Sequence, residues 1–224
     1  MLHAILHGKV SAKLRDQEDV LTSCVFGLLD TLPATLGLAP WLRQARTLRG
    51  TALTVDAEAL DNAGPTFWPS YPLVDGRVEP DVLFDLGDSA ILIEAKYGAG
   101  PSGWPSAEEG PLAGQLGRQW RAASAPGRSL ELVYLTAGWT MPSEEMEAMI
   151  AEVERMTEDR RFRDHLYWLS WRSLPQALAK EAQTPRRARA LTSLRRYIAR
   201  AGLDTFTGVR PPRPVEPVAW SFQP

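Results

Sequence analysis

Residues 79–98 read EPDVLFDLGDSAILIEAKYG, two short hydrophobic runs that meet at Gly87-Asp88. Glycine at the first position of a two-residue loop suits a type II′ hairpin turn, which needs a positive φ there. Leu86 then faces Ser89, and the same pairing sets Phe84 opposite Ile91, Val82 opposite Ile93, Asp81 opposite Glu94 and Glu79 opposite Lys96. Side chains alternate between the faces of a strand. One face therefore carries Val82, Phe84, Ile91 and Ile93 as an apolar layer, while Asp81, Glu94 and Lys96 project from one end of the other. A symmetric four-residue loop would keep this register; a three- or five-residue loop would shift it by one and separate the acids.

Two carboxylates placed side by side in a sheet repel each other unless something compensates them. A divalent cation does so, and Mg²⁺ commonly combines one or two carboxylates with waters and substrate phosphates. Lys96, two residues beyond Glu94, is suited to orient or activate a water or to stabilise charge on a reacting phosphate. The competing reading is an edge hairpin with solvated charges, in which Glu79–Lys96 is a weak surface pair.

Two further features favour the first reading. Leu14, Leu21, Val25, Leu28 and Leu32 mark an amphipathic helix over 14–32, closed by Pro33, and Glu18 occupies a slot on that apolar stripe. A buried acid needs a partner or a metal, although a first-turn acid could also lie exposed. Gln115 and Gln119 flank the apolar face of a second helix, from about Leu112 to Ala123, where amides can reach a phosphate or a metal-bound water. The competing reading for both is a polar residue on the helix border, and for Gln119 that is the favoured one.

Pro80-Asp81 followed by Glu94-Ala95-Lys96 resembles the signature of the PD-(D/E)XK nuclease superfamily, and LVYLTAGWTMP and YWLSWRSLPQAL resemble its closing segments. The similarity covers roughly residues 14–180. It implies a restriction-endonuclease-like fold with an αβββαβ core and Mg²⁺- or Mn²⁺-dependent hydrolysis of phosphodiesters. By position, Asp81 and Glu94 correspond to metal ligands and Lys96 to the water-orienting or charge-stabilising residue. Glu18 matches the first-helix acid that serves some branches as an extra ligand, and Gln115 the glutamine on the following helix. The sequence departs from a pattern of glutamine followed four residues later by tyrosine, since Gln119 fills that slot. Compact nucleases of this kind are similar to effectors of prokaryotic antiviral defence or mobile-element systems.

The order of periodic segments agrees with an α/β protein whose mixed β-sheet is flanked by helices. FWPSYPLV (67–74) and the hairpin read as a three-stranded meander, TLRGTALTVDAEAL can hold a strand, and DNAGPT is a loop by its turn residues. SLELVYLTA (129–137) and HLYWLSW (165–171) are strands, a helix starts near Ser143, and a short helix follows with Ser173 as its cap and Pro175 in its first turn. Residues 1–183 are read as the nuclease-like domain. Residues 184–224 form an arginine-rich helix over 185–201, ended by Gly202, and a proline-rich extended tail packed on or extending from it.

With 44% hydrophobic and 23% charged residues in 224, the chain is globular and can bury a core. Its formal charge of −2 lends no overall support to nucleic-acid binding, so local patches must provide it. They do near the carboxyl end: over 185–213, eight arginines oppose the single acid Asp204, a net +7. Arg186, Arg187, Arg189, Arg195, Arg196 and Arg200 surround a seam of Leu191, Leu194 and Ile198, as a phosphate-binding surface would. Arg43, Arg46 and Arg49 could extend such a track. Nothing reads base edges, so no sequence specificity follows.

One cysteine, Cys24, excludes an intramolecular disulfide framework and fits a reducing compartment, and its apolar neighbours mark it as packed. No signal-peptide or membrane-spanning run occurs, so the expectation is cytoplasmic, with no membrane partner. His3, His7 and His165 lack metal-ligand spacing, and His165 reads as structural. Trp104 is a candidate for stacking or for packing. The sequence is thus read as a Mg²⁺- or Mn²⁺-dependent nuclease acting on DNA rather than RNA, with a protein partner or a homo-oligomer possible. The alternative is a non-catalytic, nuclease-like docking or nucleic-acid-binding subunit of a larger complex. Near-neutral charge and the tail favour that alternative; an intact Asp, Glu and Lys set opposes it.

Overall fold

The Gly87-Asp88 turn forms as its chemistry requires. Gly87 has φ +83°, the Leu86 N–H donates to the Ser89 carbonyl at 2.9 Å, and the ladder pairs Val82 with Ile93, Phe84 with Ile91 and Asp85 with Ala90. The computed structural model describes residues 18–74, 76–97, 112–157 and 159–203. In chain order these hold α1 (Glu18–Leu29), α2 (Leu38–Leu42), α3 (Ala57–Ala63), β1 (Thr66–Phe67), β2 (Tyr71–Leu73), β3 (Gly76–Val78), β4 (Val82–Asp85) and β5 (Ser89–Lys96). There follow α4 (Leu112–Ala123), β6 (Ser129–Thr136), α5 (Ser143–Thr157), α6 (Phe162–His165), β7 (Leu166–Ser170), α7 (Leu174–Ala177) and α8 (Pro185–Arg200). Leu14, His3, His7, Trp104, Arg210, Arg213 and the proline-rich tail lie outside the described residues.

The main sheet has the order β1-β4-β5-β6-β7. Its first three strands are antiparallel, and β5, β6 and β7 run parallel. This is a mixed five-stranded α/β sheet with helices on both faces. Ile91, Ile93, Val82 and Phe84 face α1 and α8, whereas Leu83, Ala90 and Leu92 face α4 and α5. Parallel strands covered on both faces need nearly continuous apolar sequence, and AILI and LVYL supply it.

Several local readings are corrected. The meander is interrupted: β1 pairs with β4, but β2 and β3 form a separate two-stranded ribbon. Trp68, at φ +47°, turns the chain out of the sheet, and Pro69, Pro72 and Pro80 lack the donors a continued ladder would use. The segment around Arg46 makes only isolated bridges, to Ala52 and Trp168. Asp61, Asn62 and Ala63 belong to α3 rather than to a loop, because Asp56 caps that helix through the amides of Glu58 and Ala59. Ser173 stands at the cap position of α7 with Pro175 in the first turn, as read, but its hydroxyl makes no capping bond and donates to the Ser170 carbonyl; Ser170 caps the 3-10 turn just before, accepting the Arg172 N–H.

Helix α8 begins with Thr184 as cap and Pro185 in its first turn, and Gly202, at φ +68°, follows its end. Leu191, Leu194, Tyr197 and Ile198 are buried in the same core layer as α1, and the Tyr197 hydroxyl donates to the Val20 carbonyl. No helix among the described residues is long and apolar enough to cross a membrane. Because Leu194 is fully buried, Leu194→Ala should lower the unfolding free energy by about 2–4 kcal/mol. Urea denaturation checks this, and a change near zero would mean that α8 is not part of the core.

Candidate active site

Pairing across the sheet brings the predicted residues into one row. The ladder ends at Val82–Ile93, and just past it Asp81 lies close to Glu94. Glu94 pairs with Tyr134 on β6, and Tyr134 with Trp168 on β7. The next row on the same face runs from Lys96 to Thr136 to Ser170. Since β5, β6 and β7 are parallel, these rows lie at their carboxyl ends, the edge where open α/β sheets offer ligand crevices.

Glu94 is 1% exposed and fully engaged. Its Oε1 lies 2.8 Å from the Lys96 ammonium and accepts from Gln115 Nε2 at 2.9 Å; its Oε2 accepts from Gln119 Nε2 at 2.6 Å. Asp81, 8% exposed, stands just before β4. Its Oδ2 accepts the Ala95 N–H at 2.7 Å, so the side chain continues the hydrogen bonding where the β4 backbone has stopped. Its carbonyl accepts the Trp68 N–H at 3.1 Å, which fixes the chain at Asp81 from the other side. Glu18, the first residue of α1, reaches around the end of β5: Oε1 accepts from Lys96 Nζ at 3.1 Å and Oε2 from the Tyr97 N–H at 2.8 Å.

Asp81, Glu94, Lys96, Glu18 and Gln115 therefore converge. Glu79 does not; it pairs with Arg77 at 3.3 Å, because residues 79–81 leave the ladder and Lys96 turns to Glu94 and Glu18 instead. Gln119 was undervalued as a border residue: it is fully buried and holds Glu94. Its place among Leu116, Trp120 and Ala123 on the apolar stripe was a usable signal, the same one that singled out Glu18. The Tyr97 and Ala95 amides are backbone groups that sequence could not flag.

The arginine surfaces divide. Arg186, Arg189, Arg196 and Arg200 are exposed on α8, and Arg187 is half-buried. Arg195 instead donates to the carbonyls of Leu178 and Ala179, tying α8 to the end of α7. Arg43, Arg46 and Arg49 do not extend a free track: Arg43 donates to the Val55 carbonyl, Arg46 to those of Arg43 and Ala45, and Arg49 pairs with Asp164. His165 bonds Glu131 through Nδ1 at 3.0 Å, away from the acid cluster.

Burial, reinforced by the nearby Glu94 charge, pushes the Asp81 carboxyl up from 3.8 to about 8. Burial also raises Glu94, against the opposing pull of Lys96 and Gln119. For Lys96, burial would lower the value, but the charges of Glu94 and Glu18 outweigh it and hold the ammonium above its ordinary range. Burial and the hydrogen bond to Glu145 keep the Tyr134 phenol protonated.

The donor set suits a hard divalent cation. It is all oxygen, and with all three carboxyls ionised, as a bound cation would favour, one ammonium would leave two negative charges for the metal to match. Gln119 Oε1 is buried with no hydrogen-bond partner among the described residues. No three acid, histidine or cysteine side chains among the described residues already form a ready-made ligand shell.

These shifts have a sign. Asp81 is raised on folding, so its contribution to stability is fully present below about pH 4 and is lost as pH rises through about 8. Asparagine at 81 keeps the acceptor for Ala95 without the charge. In EDTA at pH 8, Asp81→Asn should be more stable than wild type by about 1–3 kcal/mol, with the gain vanishing toward pH 4. Urea titrations at both pH values check this; a destabilised variant at pH 8 would contradict it.

No protein-family model, curated protein or solved structure gave a significant match to this chain.

Proposed function

We propose that this protein is a metal-dependent nuclease with a restriction-endonuclease-like fold, hydrolysing phosphodiester bonds of DNA. The observation that carries the reading is the convergence of three acids and a lysine from the α1 start, the β4 approach and the β5 end, with Asp81 and Glu94 buried. The element order α1, β1, β4, β5, α4, β6 also suits the αβββαβ core of the PD-(D/E)XK superfamily once the β2–β3 ribbon is set aside as an insertion.

Asp81 and Glu94, with Glu18, would hold Mg²⁺ or Mn²⁺. Bound there, the ion supplies a Lewis acid for a phosphoryl oxygen and lowers the pKa of a water. Lys96 is kept protonated by its two carboxylates, so its part is to donate: it steadies the attacking water and the charge that develops on the phosphate. Gln115 and Gln119 fix the Glu94 carboxylate. The exposed arginines of α8 are suited to hold the phosphate backbone without reading sequence. A role in prokaryotic defence rests on analogy to compact nucleases of this type.

One observation favours a second reading. Both Glu94 oxygens are already satisfied by protein donors, as in a docking or nucleic-acid-binding subunit that keeps the cluster for structure. Plasmid, linear and single-stranded DNA, and RNA, incubated with Mg²⁺ or Mn²⁺ and with EDTA, separate the two. Metal-dependent cleavage should fall by about 10²-fold or more in Lys96→Ala, the loss typical of one transition-state donor. Cleavage undiminished in that variant would overturn the site, and no cleavage of any substrate would favour the docking subunit.

A further inference from the structure

The row that holds the acids does not stop at β5. It continues through Tyr134 to Trp168, and beyond Lys96, Thr136 and Ser170 the chain opens a cavity of about 260 Å³. Gln44, Trp139, Trp168, Ser170, Arg172 and Gln176 line it. Neighbouring strands lie about 4.8 Å apart, so Ser170 stands on the order of 10 Å from Lys96 along the same sheet edge.

Trp139 is 61% exposed, unusual for so large an apolar side chain. The Arg172 guanidinium lies over its ring, 4.4 Å from the centroid. The pair is fixed in place. Arg172 Nε donates to the Ala137 carbonyl at 2.7 Å and Nη1 to the Gly202 carbonyl at 2.8 Å. The Ser170 hydroxyl donates to the Gly138 carbonyl at 2.6 Å, and Trp168 Nε1 to Thr136 Oγ1 at 2.9 Å. An exposed aromatic ring backed by a cation and held by its neighbours is a stacking platform at little entropic cost. Gln44 and Gln176 add polar groups able to bond a base edge.

We propose that the Trp139–Arg172 cavity is a subsite for an unpaired nucleobase, so that the substrate is a single strand or a frayed end whose base stacks on Trp139 while the adjoining phosphate reaches the Lys96 cluster. This rests on the nuclease reading and narrows it. Bases within a duplex are already stacked on each other and cannot offer a free face. Guanidinium and indole do not distinguish ribose from deoxyribose, so the shared chemistry is an unpaired base carrying a phosphate.

The test is fluorescence anisotropy of end-labelled oligo(dT) and oligo(rU), each about twelve nucleotides, and of a duplex of that length, in EDTA and in Ca²⁺. Wild type should bind single strands more tightly than duplex. Trp139→Ala should weaken single-strand binding about fivefold or more, the low end of what one stacked base contributes, with Trp139→Phe near wild type. Trp139→Leu replaces the alanine variant if circular dichroism shows that one unfolded. As an independent readout, the 5-fluorotryptophan ¹⁹F resonance that disappears in Trp139→Phe should shift when oligonucleotide is added. Single-strand affinity unchanged in Trp139→Ala, equal losses for duplex and single strand, a preference for duplex, or no binding at all would each overturn the subsite. Lys96-dependent cleavage that is indifferent to Trp139 would overturn the subsite alone. Trp139-dependent binding without cleavage would leave the subsite standing and remove the hydrolytic reading.

Discussion

A carboxylate at 1% exposure inside a sheet is the constraint around which this protein is arranged. Left alone, Glu94 would be far costlier to bury than any hydrophobic neighbour could offset. Its surroundings compensate it from three directions: Lys96 from its own strand, and Gln115 and Gln119 from α4. Asp81, just past the end of the ladder, would add a second negative charge when ionised, and burial beside Glu94 holds it protonated up to about pH 8. Glu18 adds a third from the start of α1. Holding Asp81 protonated costs the metal-free chain stability as pH rises through about 8, a cost that a bound cation in the proposed site would remove.

The same strand end organises the other side of the molecule. The Tyr97 N–H closes onto Glu18, while the Tyr97 hydroxyl donates to the Ala201 carbonyl just past α8 at 2.5 Å. Arg172, beyond β7, reaches the adjacent Gly202 carbonyl. The end of the arginine-bearing helix is thus fastened to the carboxyl edge of the sheet from two strands. The α8 arginines proposed to contact phosphate are thereby linked, through the end of their helix, to the sheet edge that carries the acid cluster.

The hairpin was the most legible part of the sequence, because a Gly-Asp turn and a period of two leave little freedom. From them alone followed the apolar layer and the nearness of Asp81 to Glu94, although the ladder stops at Val82–Ile93, one pair short of their opposition. The arithmetic failed one pair further out, at Glu79 and Lys96, where prolines and the left-handed Trp68 end the ladder; no strand propensity marks that limit. Glu18 was legible as an acid on an apolar stripe. Gln119 carried the same mark but, being neutral, was read as a border residue. Arg43, Arg46, Arg49 and Arg195 show the opposite error: arginines counted as surface charge from sequence are used by the fold to satisfy carbonyl groups or to pair an acid. Which carbonyls need donors is decided by tertiary contacts, so composition could not separate the two uses.

The central claim is that Asp81, Glu94 and Glu18 form a divalent-cation site rather than a self-contained polar network. Titration of Mn²⁺ into the metal-free protein, followed by the loss of the free-ion signal in electron paramagnetic resonance, tests it without requiring any substrate. Saturable binding to wild type that is lost in the Asp81→Asn, Glu94→Gln double variant is the predicted result. Identical titration curves for the two proteins would contradict it.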